Sequence, residues 1–560
     1  VGKISVFNKP LLSHRRKLRK ERWASRFLRT PREEKREGCD KLFGSAVKCE
    51  LDSYGRQPPP LRRLETDKLP PQDQTRAPLL EALQELARLR HAPFYAPGHK
   101  RGRGIPQSLA DLLGKTVFEA DLPELPELDN LFAPEGAIRE AQQLAAEAFG
   151  AAQTWFLVNG STAGIIASIL ATCAAGDKII LPRNVHRSAI SGLVLSGAVP
   201  VFVSPEYDPA WDLANSITPA AVAAALDRHG DAKAVMVVYP TYHGVCGDLA
   251  AIAELAHRHG IPLLVDEAHG PHFAFHPDLP SPALAAGADL TVQSAHKVLS
   301  AITQASMLHV GGDRIDRQRL SQALQLVQST SPSYLLLASL DATRQQMATQ
   351  GEQLLAQTLR LAEGARSRLA HLPGLSVLEP PSPEAVTPGF VALDRTRLTV
   401  SVAGLGLSGY EADQILHRQL GVTAELPCLR QLTFILSLGN TPADIEQLVG
   451  ALTTLAEKHS KPKAGLSCAG VPVLRCSPAP VALTPRQAFF AETETVPVFQ
   501  ACHKISAEIV CPYPPGVPVL VPGEMITKAA LDYLQRVLSS GGTITGCGDP
   551  SLQTLKVLRK

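Results

Sequence analysis

Lys297 ends the stretch Ser294-Ala295-His296-Lys297, a short distance downstream of Val265-Asp266-Glu267-Ala268-His269-Gly270. A lysine amine forms a Schiff base with an aldehyde, and a carboxylate keeps a ring nitrogen protonated. Together the two residue types suit pyridoxal phosphate (PLP). A neighbouring cation or a dry pocket would leave the lysine easily deprotonated. On this reading Lys297 is the Schiff-base residue. Asp266 pairs with the pyridinium nitrogen, and burial beside that cation would hold it ionised. Ser294 could donate to the cofactor phosphate, and His296 could bond to phosphate or touch the substrate. Ala268, in the same turn as Asp266, is counted among the cofactor contacts. Glu267 has less claim, because successive side chains on a strand point to opposite faces.

Asn159-Gly160-Ser161-Thr162-Ala163-Gly164 opens a helix. Backbone amides at a helix N-terminus, with the hydroxyls of Ser161 and Thr162, make a phosphate cradle. Such hydroxyls alone are also ordinary helix caps; beside Lys297 and Asp266 the phosphate reading is preferred. His186, in Pro182-Arg183-Asn184-Val185-His186-Arg187-Ser188, could lie flat on the pyridine face. For His269 and His272, a structural hydrogen bond and a substrate contact both remain open.

These side chains need a scaffold, and the sequence spells one out. Strands are expected at Thr154–Val158, Lys178–Leu181, Pro200–Val203, Ala234–Val238 and Ile261–Val265. Between them fall helices at Ala163–Ala174, Arg187–Ser196 and Leu249–His259, and a leucine-periodic helix at Leu79–Leu86 precedes them. From Asp266 to Lys297 one more helix and strand are expected. The alternation predicts an α/β fold with a parallel sheet and helices on both faces. Ligands of such sheets bind beyond the carboxyl ends of the strands. Gly160-Ser161-Thr162, His186, Tyr239-Pro240-Thr241 and Asp266 each follow a different strand, a convergence stronger than any single motif.

A chain of 560 residues is too long for one core, so two or three domains are expected. The boundaries read as a basic extension over 1–75, a large PLP-binding domain over 76–350, a smaller α+β domain over 351–460 and a C-terminal module over 461–560. The extension carries Arg15-Arg16-Lys17-Leu18-Arg19-Lys20 and Pro58-Pro59-Pro60. It reads as dispensable, as a targeting segment or as a nucleic-acid arm. Pro380-Pro381-Ser382-Pro383 marks a loop, and Lys461-Pro462-Lys463-Ala464-Gly465 a break. The net charge of +3 demands no polyanionic partner, and 5% aromatic residues argue against base-stacking platforms, so no nucleic-acid partner is expected for the body of the chain. Ten scattered cysteines without metal-ligand spacing point to reduced thiols in a cytosolic or organellar compartment and to no metal site. No apolar run is long enough to cross a bilayer.

With those residues in hand, the chain resembles the Orn/Lys/Arg decarboxylases of the aspartate-aminotransferase-like PLP fold, in their shorter branch lacking an N-terminal wing domain. The likeness spans about Leu79 to Leu558. It includes Ala96-Pro97-Gly98-His99-Lys100-Arg101-Gly102, the stretches around Ser161, Asp266 and Lys297, Gln328-Ser329-Thr330-Ser331-Pro332-Ser333-Tyr334 and Pro512-Tyr513-Pro514-Pro515-Gly516-Val517-Pro518. The resemblance implies the fold, with a mostly parallel central sheet, a smaller α+β domain and a C-terminal decarboxylase module. It implies the same roles for Lys297, Asp266, His186, Ser161, Thr162 and Ser294. It adds Glu508 as receiver of the substrate's distal cation, and a homodimer with active sites at the subunit interface, where Gln328 to Tyr334 would reach the neighbouring site. Three stretches depart from the family. Leu128-Asp129-Asn130-Leu131-Phe132 replaces a Leu-Asp-Asp-Leu-His stretch, Ala501-Cys502-His503-Lys504 stands where a Gly-Arg pair is usual, and Val298 follows Lys297 in place of Thr.

The expected reaction is loss of the α-carboxylate of arginine, lysine or ornithine as carbon dioxide, leaving the amine. The sequence does not choose among the three, nor between His296 and Lys297 as the proton donor. The rivals are another PLP reaction on this fold, such as transamination or aldol cleavage, and a non-catalytic PLP-fold binding protein.

Overall fold

Short apolar runs bounded by turns become the strands of a seven-stranded sheet: β1 (Gln153–Leu157), β2 (Lys178–Pro182), β3 (Val199–Val203), β4 (Ala234–Val238), β5 (Leu263–Asp266), β6 (Leu290–Gln293) and β7 (Ser306–Val310). The computed structural model describes residues 72–382, 387–459 and 481–559. The basic run, Pro58-Pro59-Pro60, Pro383 and the break at Lys461–Gly465 lie outside them. The strand order is β1-β7-β6-β5-β4-β2-β3. Alternate residues feed opposite cores. Ile179, Leu181, Met236 and Leu264 pack on one side, and Ile180, Val235, Val237 and Val265 on the other. A sheet covered on both faces explains runs that are apolar throughout instead of alternating.

One strand departs from the expected parallel order. The pairings β2–β3, β2–β4, β4–β5 and β5–β6 are parallel, but β7 runs antiparallel to both β1 and β6. A parallel return requires a crossover, usually a full helix. The link from β6 to β7 holds only the four-residue helix Ala295–Val298, so the chain turns straight back. That turn carries Lys297. The helix expected between Asp266 and β6 is likewise absent; a 3-10 turn over Pro271–Phe275 and irregular chain take its place.

The helix Tyr334–Ala370 has 37 residues and runs through position 350, so the large and small domains share it. Its first half packs Leu337, Leu340 and Met347 into the large core. Its last turns place Ala362, Ala365 and Leu369 under the small sheet. That sheet pairs Arg397–Ser401 antiparallel with Gln431–Ile435 and is covered by Gly409–Gln419 and Pro442–Lys458. The C-terminal module pairs Thr493–Pro497 with Thr554–Leu558, and Cys511–Tyr513 with Thr543–Thr545, against the helix Lys528–Ser539. Arg183, just past β2, anchors it: the guanidinium donates to Glu524 at 2.9 and 2.7 Å and to the carbonyls of Pro518 and Val519. Among the described residues no helix is long and apolar enough to cross a membrane.

Candidate active site

Four strands of the large sheet end at one edge, and the turns beyond them hold the polar side chains. After β1, the helix Gly160–Thr172 begins with Gly160 at φ +75°, a left-handed turn that glycine adopts freely. It brings the Ser161 hydroxyl to the helix N-terminus. The Ser294 hydroxyl, fully buried after β6, donates to Ser161 Oγ at 2.8 Å. Thr162, one residue on, is exposed. The Gln328 stretch lies on the same turn: Val158 N–H donates to Gln328 Oε1 at 2.9 Å, and Ser329 N–H to Asn159 Oδ1 at 3.2 Å. Within one chain, this motif supports the turn that presents Ser161.

After β2, His186 caps the helix Arg187–Ser196, its Nδ1 accepting from Ser188 N–H. Burial, with the cations of Lys297 and Arg187, pushes its pKa down to about 4, so the ring is neutral and its Nδ1 is engaged at the cap. Gly516 of the C-terminal module closes over it. A Cβ there would come within 3.3 Å of His186 Nε2, at a φ of +89° that already favours glycine. The Pro512–Pro518 motif thus bears directly on this turn.

Asp266 ends β5 and is 8% exposed. Ala268 N–H donates to Oδ1 at 3.2 Å, and no hydrogen bond from a described residue reaches Oδ2. Burial pushes this carboxyl up, and Lys297 works against that. An acid so placed lacks a cationic N–H donor. Glu267 faces the opposite side, as expected. It is fully buried and accepts from Ala283 N–H, Thr291 Oγ and Gln293 Nε2, while burial pushes its pKa to about 7.

Lys297 Nζ lies 3.0 Å from His269 Nε2. Burial holds the amine below the ordinary lysine range, against the pull of Asp266. His296, beside it, turns Nδ1 to the carbonyl of Ala305 at 3.1 Å, and burial pushes its pKa down. His272 pairs instead with the buried Asp394 at 3.1 Å. Two residues of this group escaped the sequence reading. Tyr242 sets its ring edge-on to His269 at 5.0 Å, and Arg397, from the small sheet, donates to His269. Neither lies near Lys297 in sequence, and a lone arginine opening a strand carries no local signal.

Lys297, Asp266, His186, His269, Ser161 and Ser294 therefore share one cleft edge. Glu508 is not brought to them within the chain. Its carboxylate accepts from Gly548 N–H at 2.7 Å and Lys556 N–H at 2.8 Å, both in the C-terminal module. Asp129 serves the scaffold, since its carboxylate accepts the amides of Glu135, Gly136 and Ile138 where the helix Ala137–Ala148 begins. The free Oδ2 of Asp266, the neutral ring of His186, the accessible amine of Lys297 and the paired serine hydroxyls at a helix start fit the ring nitrogen, ring face, aldehyde and phosphate of PLP.

Comparison with known proteins agrees with this arrangement. The profile of the Orn/Lys/Arg decarboxylase major domain matches residues 77–444, and that of the family's C-terminal domain matches residues 475–547. The arginine decarboxylase of Bacillus subtilis is 39% identical over 487 residues, covering 87% of this chain and 99% of its own. The lysine decarboxylase LdcA of Pseudomonas aeruginosa is 26% identical, covering 82% of this chain and 75% of its own. The solved lysine decarboxylase LdcF of Francisella novicida shares the fold at a TM-score of 0.74 and 22% identity, covering 86% and 81% of the two chains. A lysine turn and an acidic strand end at the same sheet edge, carried by a chain that both profiles match, place this protein in the Orn/Lys/Arg decarboxylase family.

Proposed function

We propose that this chain is a PLP-dependent carboxy-lyase that removes the α-carboxylate of a basic amino acid as carbon dioxide and releases the amine. The observation that carries the reading is the Lys297 amine beside buried Asp266 at the common strand edge. When bound, PLP supplies an aldehyde for the substrate amine and a ring that accepts the electrons of the breaking bond. The chain's part is to hold and orient. Lys297 would supply the amine that tethers the cofactor, and Asp266 would keep the ring nitrogen protonated, with Ala268 N–H fixing its carboxylate. His186 would face the cofactor ring, and Ser161, Thr162 and Ser294 with the helix amides would receive the phosphate. His269 Nε2 lies 3.0 Å from Lys297 Nζ and His296 precedes Lys297 in the chain, so Lys297 Nζ and these two imidazoles would hold the site's protons. The residues around Lys297 would orient the bound substrate, and that orientation would select the bond that breaks.

Among the three basic amino acids, arginine is the substrate we favour, supported by the 39% identity to an arginine decarboxylase. Glu508 is retained as receiver of the distal cation, on its position in the C-terminal module. We assign residues 76–350, 351–460 and 461–560 to the large domain, small domain and module. The working unit in this reading is a homodimer in the cytoplasm. The test incubates purified chain and PLP separately with arginine, lysine and ornithine, and measures carbon dioxide, amine and keto acid. Carbon dioxide with agmatine is expected, and none from Lys297→Ala. Keto acid in place of carbon dioxide would sink the reading in favour of transamination.

A further inference from the structure

Arg397 opens the small-domain strand Arg397–Ser401 and is fully buried. Its NH2 nitrogen donates to the backbone carbonyl of His269 at 3.0 Å and faces His269 Nδ1 at 3.3 Å. Among the described residues Nε and NH1 have no hydrogen-bond partner, and both acceptors of this guanidinium belong to His269. Asp394 holds the group in place, with Oδ2 3.8 Å from Nε. Asp394 is itself fixed by His272 and by the Thr396 hydroxyl.

A guanidinium has five N–H groups and no acceptor. The nitrogen of His269 that faces it must therefore present a lone pair. His269 is buried, and burial together with the cations of Lys297 and Arg397 keeps the ring neutral. A neutral imidazole carries one proton, which is left on Nε2. Nε2 lies 3.0 Å from Lys297 Nζ and can only donate to it. An ammonium has no lone pair to accept with; a free amine has one. The opposite arrangement, ammonium donating to Nε2, would turn an N–H of His269 against the N–H of Arg397.

We propose that Arg397 is a positioning residue: by fixing which nitrogen of His269 carries the proton, it holds Lys297 in the free-amine form that its role requires. This rests on the role proposed above for Lys297. The charged and titratable groups around Lys297 are Asp266, Glu425, Arg397, His186, His269 and His296, and those around His269 are Lys297, Arg397, His186 and His272, with the Tyr242 ring. Asp266 and Glu425 favour the ammonium, so the relay through His269 opposes them.

The full-length chain, freed of PLP by dialysis against hydroxylamine, is treated with acetic anhydride across a pH series, and acetylation of Lys297 is read by peptide mass spectrometry against the other lysines. Arg397→Lys keeps the charge beside Asp394 but withdraws the NH2 donor. It is expected to slow Lys297 labelling near neutral pH by about threefold to tenfold, the factor one hydrogen bond is worth. In a His269→Phe background the same change should alter the rate by less than about twofold, because the relay is already cut. Equal slowing in both backgrounds would mean that Arg397 acts without His269, and unchanged labelling in the parent background would mean that it does not act at all; either overturns the proposal. Arg397→Met, compared across the same two backgrounds, serves if the lysine variant fails to fold. Borohydride trapping of PLP on the unmodified chain is scored separately, so an adduct missing from Lys297 would count against the role of Lys297 and not against the relay.

Discussion

Ser294 Oγ donates to Ser161 Oγ across 2.8 Å, although 133 residues separate them. Their strands, β6 and β1, flank the antiparallel β7, so the reversed strand sets the spacing of the two hydroxyls. If both face the cofactor phosphate, each should contribute one charge-assisted hydrogen bond. Ser161→Ala and Ser294→Ala are each expected to weaken PLP retention by about tenfold to a hundredfold. Equilibrium dialysis with absorbance detection measures this, and unchanged retention in both variants would move the phosphate elsewhere.

Glu508 offers a sharper choice. Removing its charge in Glu508→Gln should raise KM about tenfold with kcat nearly kept, if it receives the distal cation. An unchanged KM with a lowered melting temperature would confine Glu508 to holding the amides of Gly548 and Lys556.

The Arg183–Glu524 pair is almost fully enclosed, with 6% and 2% exposure. Burial pushes the Glu524 carboxyl up and Arg183 pulls it down. Glu524→Ala would leave a buried guanidinium unpaired, at a cost of about 3–5 kcal/mol. Early proteolysis within the C-terminal module and a lower denaturation midpoint are expected. A midpoint matching the parent would show that Pro518 and Val519 suffice to anchor the module.

His309 is enclosed between Thr154 and Gln293, and its ring stacks on Phe149 at 4.7 Å. Burial pushes its pKa from 6.5 to about 3. The folded value is depressed, so the unfolded chain takes up the proton first. This contribution to stability is complete above pH 6.5 and is lost as the pH falls toward 3. By about pH 5 the loss is about 2 kcal/mol. Denaturant titrations at several pH values should show this slope, reduced by up to about one proton in His309→Gln. An identical slope in that variant would refute the assignment.

Much of the site was legible because each of its residues follows a short apolar run. Ser161, His186, Asp266 and Lys297 could be placed at one edge from the alternation alone. What escaped depends on contacts that no local pattern encodes. Arg397 meets His269 across 128 residues. The reversal of β7 goes with a connection that holds only a four-residue helix, and no feature of the Lys297 motif marks that helix as too short to cross the sheet. Asp129 sits in a stretch whose neighbours Asn130 and Phe132 depart from the family; its own carboxylate meets amides at a helix start up to ten residues ahead, a contact that no local pattern marks. Glu508 could be placed in the C-terminal module by its motif, but the pairing that engages its carboxylate involves residues 40 and 48 positions away.

The 37-residue helix Tyr334–Ala370 acts as a ruler between two machines that must stay in phase. Adding one residue near its middle would turn everything beyond by about 100° and push it out by about 1.5 Å. Arg397 would then swing away from His269. Length changes in this span should thus be far less tolerated than substitutions on its outward side, making it the least editable stretch of the protein.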